Sequence, residues 1–434
     1  MEKMLHDNLS IGKNGNLFFE GADTVELSKK YGTPLMLIDE NKIRSNMRLY
    51  IDAMTRYFGG DSGPLLASKA LCFSEIYRIA SSEGMRTDIV SPGELYIAKN
   101  AGFPMERAFF HGNNKTDADI LFAIESGIGY FIVDNRDELL EINRIAGEKG
   151  ITQKILLRLS PGIDPHTHAK ISTGKVDSKF GVAIETGQAD EMVALALSLE
   201  NIELEGFHCH IGSQIFECEP FTDAADIMLS YVADIKKKLS FEAKIVNLGG
   251  GFGVRYVDSD PYIDIEENIK AIASHVDEKC SSLGITKPTI LMEPGRSIVA
   301  NAGLTLYSVG GVKDITGYKK YVSIDGGMTD NPRYALYNSS YTFLIANKAG
   351  EEKTEKCSIA GRCCESGDLL GEDVPLQKAQ RGDILATLVT GAYNYSMASN
   401  YNKIPRPPIV MINDGKDKIT VKRETYADLI RLDV

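Results

Sequence analysis

Between residues 35 and 293 the chain alternates two textures. Short apolar runs, LMLID (35–39), PLLASK (64–69), TDIV (87–90), RAFF (107–110), YFIVD (130–134), KILLRLS (154–160), IELEGFHCH (202–210), KIVNL (244–248) and TILME (289–293), have strand length and predict strands. Stretches with apolar residues at helical spacing separate them, among them IYRIASSEG, GELYIAKNAG, RDELLEINRIAGEKG and DEMVALALSLEN. Strand–helix alternation of this extent predicts a parallel sheet covered by helices. A doubly wound sheet and a closed barrel share that pattern. Nine runs are one more than a (β/α)8 TIM-type barrel takes, so the eight from residue 64 onward are assigned to the barrel and LMLID becomes its lead-in.

After Glu293 the pattern changes. YKKYVSIDGG, ILATLVTGAY, PPIVMIND and KITVKRET are short β-like runs separated by Gly, Asp-Gly and Lys-rich turns. The expected architecture is therefore α/β: a barrel over 34–298 followed by a mostly-β C-terminal domain over 299–434. The first 33 residues, with Leu17-Phe18-Phe19, an amphipathic piece from Val25 to Tyr31 and the break Gly32-Thr33-Pro34, are assigned to that second domain.

Composition narrows the function classes. The chain has 434 residues, 43% of them hydrophobic, enough for two to three domains with a large core. A net charge of -12 has the wrong sign for a nucleic-acid binder or an anionic membrane surface. No apolar run approaches the roughly 20 residues of a membrane span, and MEKMLHDNLSIGKNG lacks the apolar core of a signal peptide. Seven scattered cysteines form neither a disulfide framework nor a paired CxxC site. A soluble cytoplasmic protein is expected.

Candidate chemistry enters through the ends of the strand runs. Lys69 closes one of them, where an ammonium in a dry interior would be costly. It fits a surface cap, an ion-pair partner or an imine-forming amine. Lys69, Asp88, His111, Arg158, His210, the Gly249-Gly250-Gly251 run and Glu293 each fall at or just past the C-terminal end of a different run. In a TIM barrel that end is the active-site face, so seven such positions predict one pocket.

Each motif has a plainer reading beside the functional one. NLGGGFG (247–253) suits a phosphate cradle or a tight turn, and Val254 in the sixth position rules out a GxGxxG dinucleotide fingerprint. HCHIGS (208–213) points His208 and His210 to one side, but two ligands without a nearby third are a weak metal site, and none is expected. DPHTH (164–168) reads as a polar loop. EPGR (293–296) sets a carboxylate before a guanidinium suited to carboxylate or phosphate contact, or to a solvated ion pair. CCESGD (363–368) places a thiol beside an acid in a Gly-containing loop, and GAYNYSMASNYN (391–402) is an aromatic-rich loop.

These motifs, with SPGEL (91–95), FHGNNK (110–115), PGIDPHTH (161–168), SKFG (178–181) and DGGMTDNPRYALY (325–337), follow the order seen in meso-diaminopimelate decarboxylases. The chain resembles that family, within the alanine-racemase-like class of pyridoxal-phosphate enzymes, from about Tyr31 to Pro407. The resemblance implies a homodimer in which the CESGD loop of one subunit completes the partner's site. It makes Lys69 the Schiff-base lysine and His210 the residue stacked on the pyridine. Ser213, Gly249, Gly250, Gly251, Pro294, Gly295 and Arg296 would surround the phosphate. Glu293 would pair with the pyridine nitrogen, and Asp88, Arg158 and Tyr393 would complete the cofactor site. Arg296, Arg333 and Tyr337 would hold the substrate's distal carboxylate, Glu365 its distal amine, with Tyr393 nearby. Cys364 would be the proton donor. Leu66 and Tyr334 depart from the family's usual aromatic residue and proline without removing a chemical group.

Chemistry agrees with these roles. Decarboxylation needs an electron sink, which a protonated pyridine provides and an adjacent anion sustains. A diamine-forming enzyme needs only an acid for the far amine of its substrate, whereas diaminopimelate carries a second carboxylate, for which arginines and a tyrosine are available. The implied reaction is conversion of meso-2,6-diaminopimelate to L-lysine and CO2, the last step of lysine biosynthesis. Decarboxylation of lysine, ornithine or carboxynorspermidine is the alternative, and a non-catalytic regulatory relative a more distant one.

Overall fold

The computed structural model describes residues 4–163 and 179–434; DPHTH (164–168) and Ser178 of SKFG lie outside them. Eight strands close into a parallel barrel: β1 (Gly63–Ala67), β2 (Arg86–Ile89), β3 (Ala108–Phe110), β4 (Tyr130–Val133), β5 (Gln153–Ser160), β6 (Ile202–His208), β7 (Ile245–Asn247) and β8 (Thr289–Met292). Each pairs with the next, and β8 pairs with β1 through Leu291–Gly63 and Met292–Pro64. The eight runs from residue 64 onward are these eight strands, as expected.

Strand alternation fixes which side chains face the barrel interior. Leu65, Phe109, Ile132, Leu156, Ile245 and Leu291 come from six different strands and pack into one buried cluster. The next residue along β1, Leu66, is buried too, on the opposite face. Burial on both faces explains why these strands read as continuous apolar runs rather than alternating ones.

The intervening helices begin where local chemistry starts them. Ser91 caps α1 (Pro92–Asn100) by accepting from Glu94 N, and Pro92 occupies the first helical position. Thr116 and Asp119 form a capping box on α2 (Asp117–Glu125). Asn135 caps α3 (Arg136–Glu148) by accepting from Glu138 N.

Asn46–Gly253 and Tyr262–Gly295 form one compact unit; the chain up to Ser45, Val254–Pro261 and Arg296–Val434 form another, β-rich one. Gly303–Ile315 is the spine of the second. Its first half pairs with Leu35–Asp39 and with Ile384–Leu388; past an irregularity between Val309 and Gly311, its second half pairs with Lys319–Ile324. Leu35–Asp39 also lies parallel to Ile409–Asn413. The lead-in run LMLID is thus a central strand of the β-rich unit's sheet.

Candidate active site

The inward positions that carry the barrel's apolar cluster continue, two residues on, into polar ones. Phe109 is followed by His111, Ile132 by Asp134, Leu156 by Arg158, Ile245 by Asn247 and Leu291 by Glu293. All five polar residues are buried. Past β1 the chain makes a short 3-10 turn, Ser68–Ala70, which carries Lys69 on its exposed side. Ser68 N donates to Asp88 Oδ1 (2.8 Å) and Ser68 Oγ to Asp88 O (2.8 Å), pinning that turn to β2. Burial, followed by the charge of Glu293, pushes the Asp88 carboxyl well above its usual range, against the pull of the Lys69 cation.

Glu293 gathers three partners from three other strands. Asn247 Nδ2 donates to its Oε1 at 2.8 Å, and His208 Nε2 lies 3.3 Å from Oε2. His111 Nε2 lies 3.0 Å from Oε1, within ion-pair distance but off the line of a straight hydrogen bond. Burial alone would raise the Glu293 pKa; the adjoining His111 and His208 rings outweigh it and hold the carboxyl well below the ordinary range. Burial pushes His208 down to about 4 and also lowers His111, in both cases against the pull of Glu293. The ligand atoms of His111, His208 and Glu293 lie within 4.8 Å of one another. His208 therefore finds its companions on other strands, and His210 is not one of this group. Such spacing would also suit a cation, whereas the Asn247 amide hydrogen on the same carboxylate suits a hydrogen-bonded anion.

Beside this cluster the glycine run makes a turn that tolerates no side chain. Gly249 has φ +71, and a Cβ on Gly250 would lie 2.0 Å from Glu293 O. Gly250 N donates to His210 Nδ1 at 3.2 Å, which places the proton of the neutral imidazole on Nε2. Burial, then the nearby Lys69 cation, lowers the His210 pKa well below its usual value. Ala67 N donates to Pro294 O (3.0 Å), and a Cβ on Gly295 would meet Ala67 Cβ at 2.7 Å.

Within the β-rich unit a second cluster pairs two buried guanidiniums with tyrosine rings. Arg296 Nη1 donates to Tyr256 Oη at 2.9 Å, and its guanidinium lies 4.8 Å from the Tyr393 ring. The Arg333 guanidinium lies 5.6 to 5.8 Å from the rings of Tyr256, Tyr337 and Tyr393. Arg333 Nη2 donates to Ser339 Oγ, but its Nε is buried without a hydrogen-bond partner and no carboxylate pairs with it among the described residues. Tyr393 holds φ +60, an uncommon backbone state for a tyrosine. Cys364 and Glu365 are exposed on their loop, where Cys364 N donates to Asn402 Oδ1 and Glu365 Oε1 accepts from Gly367 N. The hydrogen bonds described for the pair do not run to the arginine–tyrosine cluster.

Residues 40–300 match the family model for the pyridoxal-binding domain of pyridoxal-dependent decarboxylases. Over 96% of its length the chain is 45% identical to the diaminopimelate decarboxylase of Bacillus methanolicus, covering 97% of that protein. It is 43% identical to the Bacillus subtilis enzyme over 99% of this chain and 98% of that one. The crystal structure of the M. jannaschii diaminopimelate decarboxylase with L-lysine superposes with a TM-score of 0.92 at 38% identity, covering 100% of this chain and 99% of that one. The chain belongs to the diaminopimelate decarboxylase family. It is a pyridoxal-dependent amino-acid decarboxylase, and its cofactor is pyridoxal 5'-phosphate.

The barrel residues fit that cofactor. A phosphate suits a tight glycine turn with bare backbone N–H groups, and the Gly249–Gly251 turn is one, with φ +71 at Gly249 and no room for a Cβ on Gly250 against Glu293 O. A protonated ring nitrogen needs a buried anion, and Glu293 is held as one. An aldehyde needs an amine within reach of solvent, and the Ser68–Ala70 turn exposes Lys69. The structure groups Asp88, Arg158, His210 and Glu293 with this rim, and Arg296, Arg333, Tyr337 and Tyr393 with the tyrosine cluster. Sequence reasoning missed Asp134, Asn247 and Tyr256. Asp134 and Asn247 were findable from strand parity, each standing two positions past an inward apolar residue. Tyr256 carries no local signal, because only the chain's excursion over Val254–Pro261 brings it to the arginines.

Proposed function

We propose that this protein removes the carboxyl group at the D-centre of meso-2,6-diaminopimelate as CO2 and releases L-lysine. The observation that carries the substrate assignment is the buried Arg333, without a carboxylate partner among the described residues, beside tyrosines that also flank Arg296. A buried cation without an anion is costly unless a ligand supplies one. A second carboxylate separates diaminopimelate from lysine and ornithine.

When bound, pyridoxal phosphate supplies the electron sink for loss of the carboxyl carbon. The Lys69 amine anchors the cofactor, and the glycine turn with Ser213 and Gly295 receives its phosphate. Glu293 keeps negative charge at the ring nitrogen, and neutral His210, oriented by Gly250 N–H, covers the ring face. Arg296, Arg333 and Tyr337 bind the distal carboxylate, and Glu365 of a second copy the distal amine. Cys364 of a second copy donates the proton that replaces CO2; its exposure in this chain supports a role in a partner's site. The protein therefore works as a homodimer, in the cytoplasm; no helix among the described residues is long and apolar enough to cross a membrane.

CO2 release measured from diaminopimelate, lysine, ornithine and carboxynorspermidine tests the substrate. Diaminopimelate should be strongly preferred, and preference for another overturns the assignment. Mixing inactive Lys69→Ala and Cys364→Ala subunits tests the shared site. Partial recovery of activity is expected, and none after verified subunit exchange argues against sharing.

A further inference from the structure

Glu293 is a buried carboxylate reached by protein donors from β3, β6 and β7. An ionised carboxylate offers about four lone-pair positions. Hydrogen bonds from Asn247 Nδ2 and His208 Nε2 take one on each oxygen, and His111 Nε2, 3.0 Å from Oε1 but off the line of a hydrogen bond, crowds the second position there. Among the described residues no donor takes the second position on Oε2. The His111 and His208 rings meet edge to face, 4.9 Å apart at 77°, so neither turns without moving the other. His208 Nδ1 is buried without a partner among the described residues, which places the single ring proton on Nε2, where Glu293 accepts it.

We propose that His111 and His208 are positioning residues that keep Glu293 ionised and direct its one remaining acceptor site at an outside N–H donor, the cofactor's ring nitrogen. The proposal rests on the reading of Glu293 as that nitrogen's partner. A carboxylate in an apolar site without such donors takes up a proton, and a protonated Glu293 could not sustain a protonated pyridine. Burial disfavours the charged form of both imidazoles; His208 serves as the N–H donor, His111 packs against Oε1 beside it, and Glu293 stays the anion of the group. Neither histidine touches substrate on this account; each acts through the carboxylate.

The test compares His208→Leu, His208→Gln, His111→Leu and Glu293→Gln as cofactor-loaded proteins. It reads kcat and KM for diaminopimelate and the cofactor's absorbance spectrum. Loss of a hydrogen bond to a charged group predicts kcat lower by about ten- to a hundredfold in His208→Leu, with KM little changed, and a smaller loss in the same direction in His111→Leu, which removes only the ring that holds His208 in place. Their cofactor band should move as it does in Glu293→Gln, and His208→Gln, which keeps an N–H donor, should recover most of the rate. Wild-type kcat and spectrum in the leucine variants, with Glu293→Gln impaired, overturn the proposal and leave the role of Glu293 standing. An unimpaired Glu293→Gln overturns that role itself. Equal loss of fold or bound cofactor in His208→Leu and His208→Gln would mean packing alone, and also overturns the proposal.

Discussion

Lys69 escapes the cost of burying an ammonium because β1 ends two residues before it and the following turn exposes its side chain. Lys69→Ala is therefore expected to leave the far-UV circular dichroism unchanged while abolishing decarboxylation; substantial activity would contradict its role. Arg333 is the opposite case, a buried cation with no acidic partner among the described residues. A hydrogen bond to a charged group contributes about 1.5–3 kcal/mol. Arg333→Met should accordingly lower kcat/KM for diaminopimelate by about ten- to a hundredfold, mostly through KM. An effect confined to kcat would place Arg333 in the chemistry instead. Legibility at this scale followed chemistry: charged residues at strand ends stand out in a sequence, whereas the partners of His208 become visible only once strands β3, β7 and β8 surround it.

Among the elements, the loop after β3 is tied down by a buried ion pair. Lys115 Nζ donates to Glu138 Oε1 (2.7 Å) on α3, to Ile132 O (2.8 Å) on β4 and to Gly112 O (2.9 Å) in its own loop. Both charged side chains are only 2% exposed. Removing one partner of such a pair leaves an uncompensated buried charge and costs about 3–5 kcal/mol. Lys115→Met should lose that much stability in urea unfolding, and Lys115→Met with Glu138→Leu should regain most of it. If the single substitution is as stable as the parent, the pair contributes nothing. The barrel strands were legible because burial on both faces leaves uninterrupted apolar runs of strand length. Leu35–Asp39 has that same local signature, and only pairing with Gly303–Ile315, far away in the chain, assigns it to the other sheet.

The whole molecule carries a pH dependence in its β-rich unit. Asp330 accepts from Gly327 N (3.0 Å) and from the Tyr307 hydroxyl, and burial raises its pKa to about 7. A carboxyl that binds its proton more tightly folded than unfolded contributes stability fully below its unfolded pKa. That contribution is lost as pH rises through about 7. The difference in unfolding free energy between parent and Asp330→Asn should therefore change between about pH 4 and 7 and level off above; a constant difference across that range would contradict the assignment. The general architecture was legible from texture alone, since alternation gives way to short β runs after Glu293. The chain's return to the β-rich unit over Val254–Pro261 was not, because no composition change marks it. The most direct test of the proposed activity is the stoichiometry on meso-diaminopimelate, with CO2 and L-lysine measured together, with and without added pyridoxal phosphate. Equal amounts of the two, dependent on the cofactor, are predicted. CO2 without lysine, or no turnover by the cofactor-loaded protein, would contradict it.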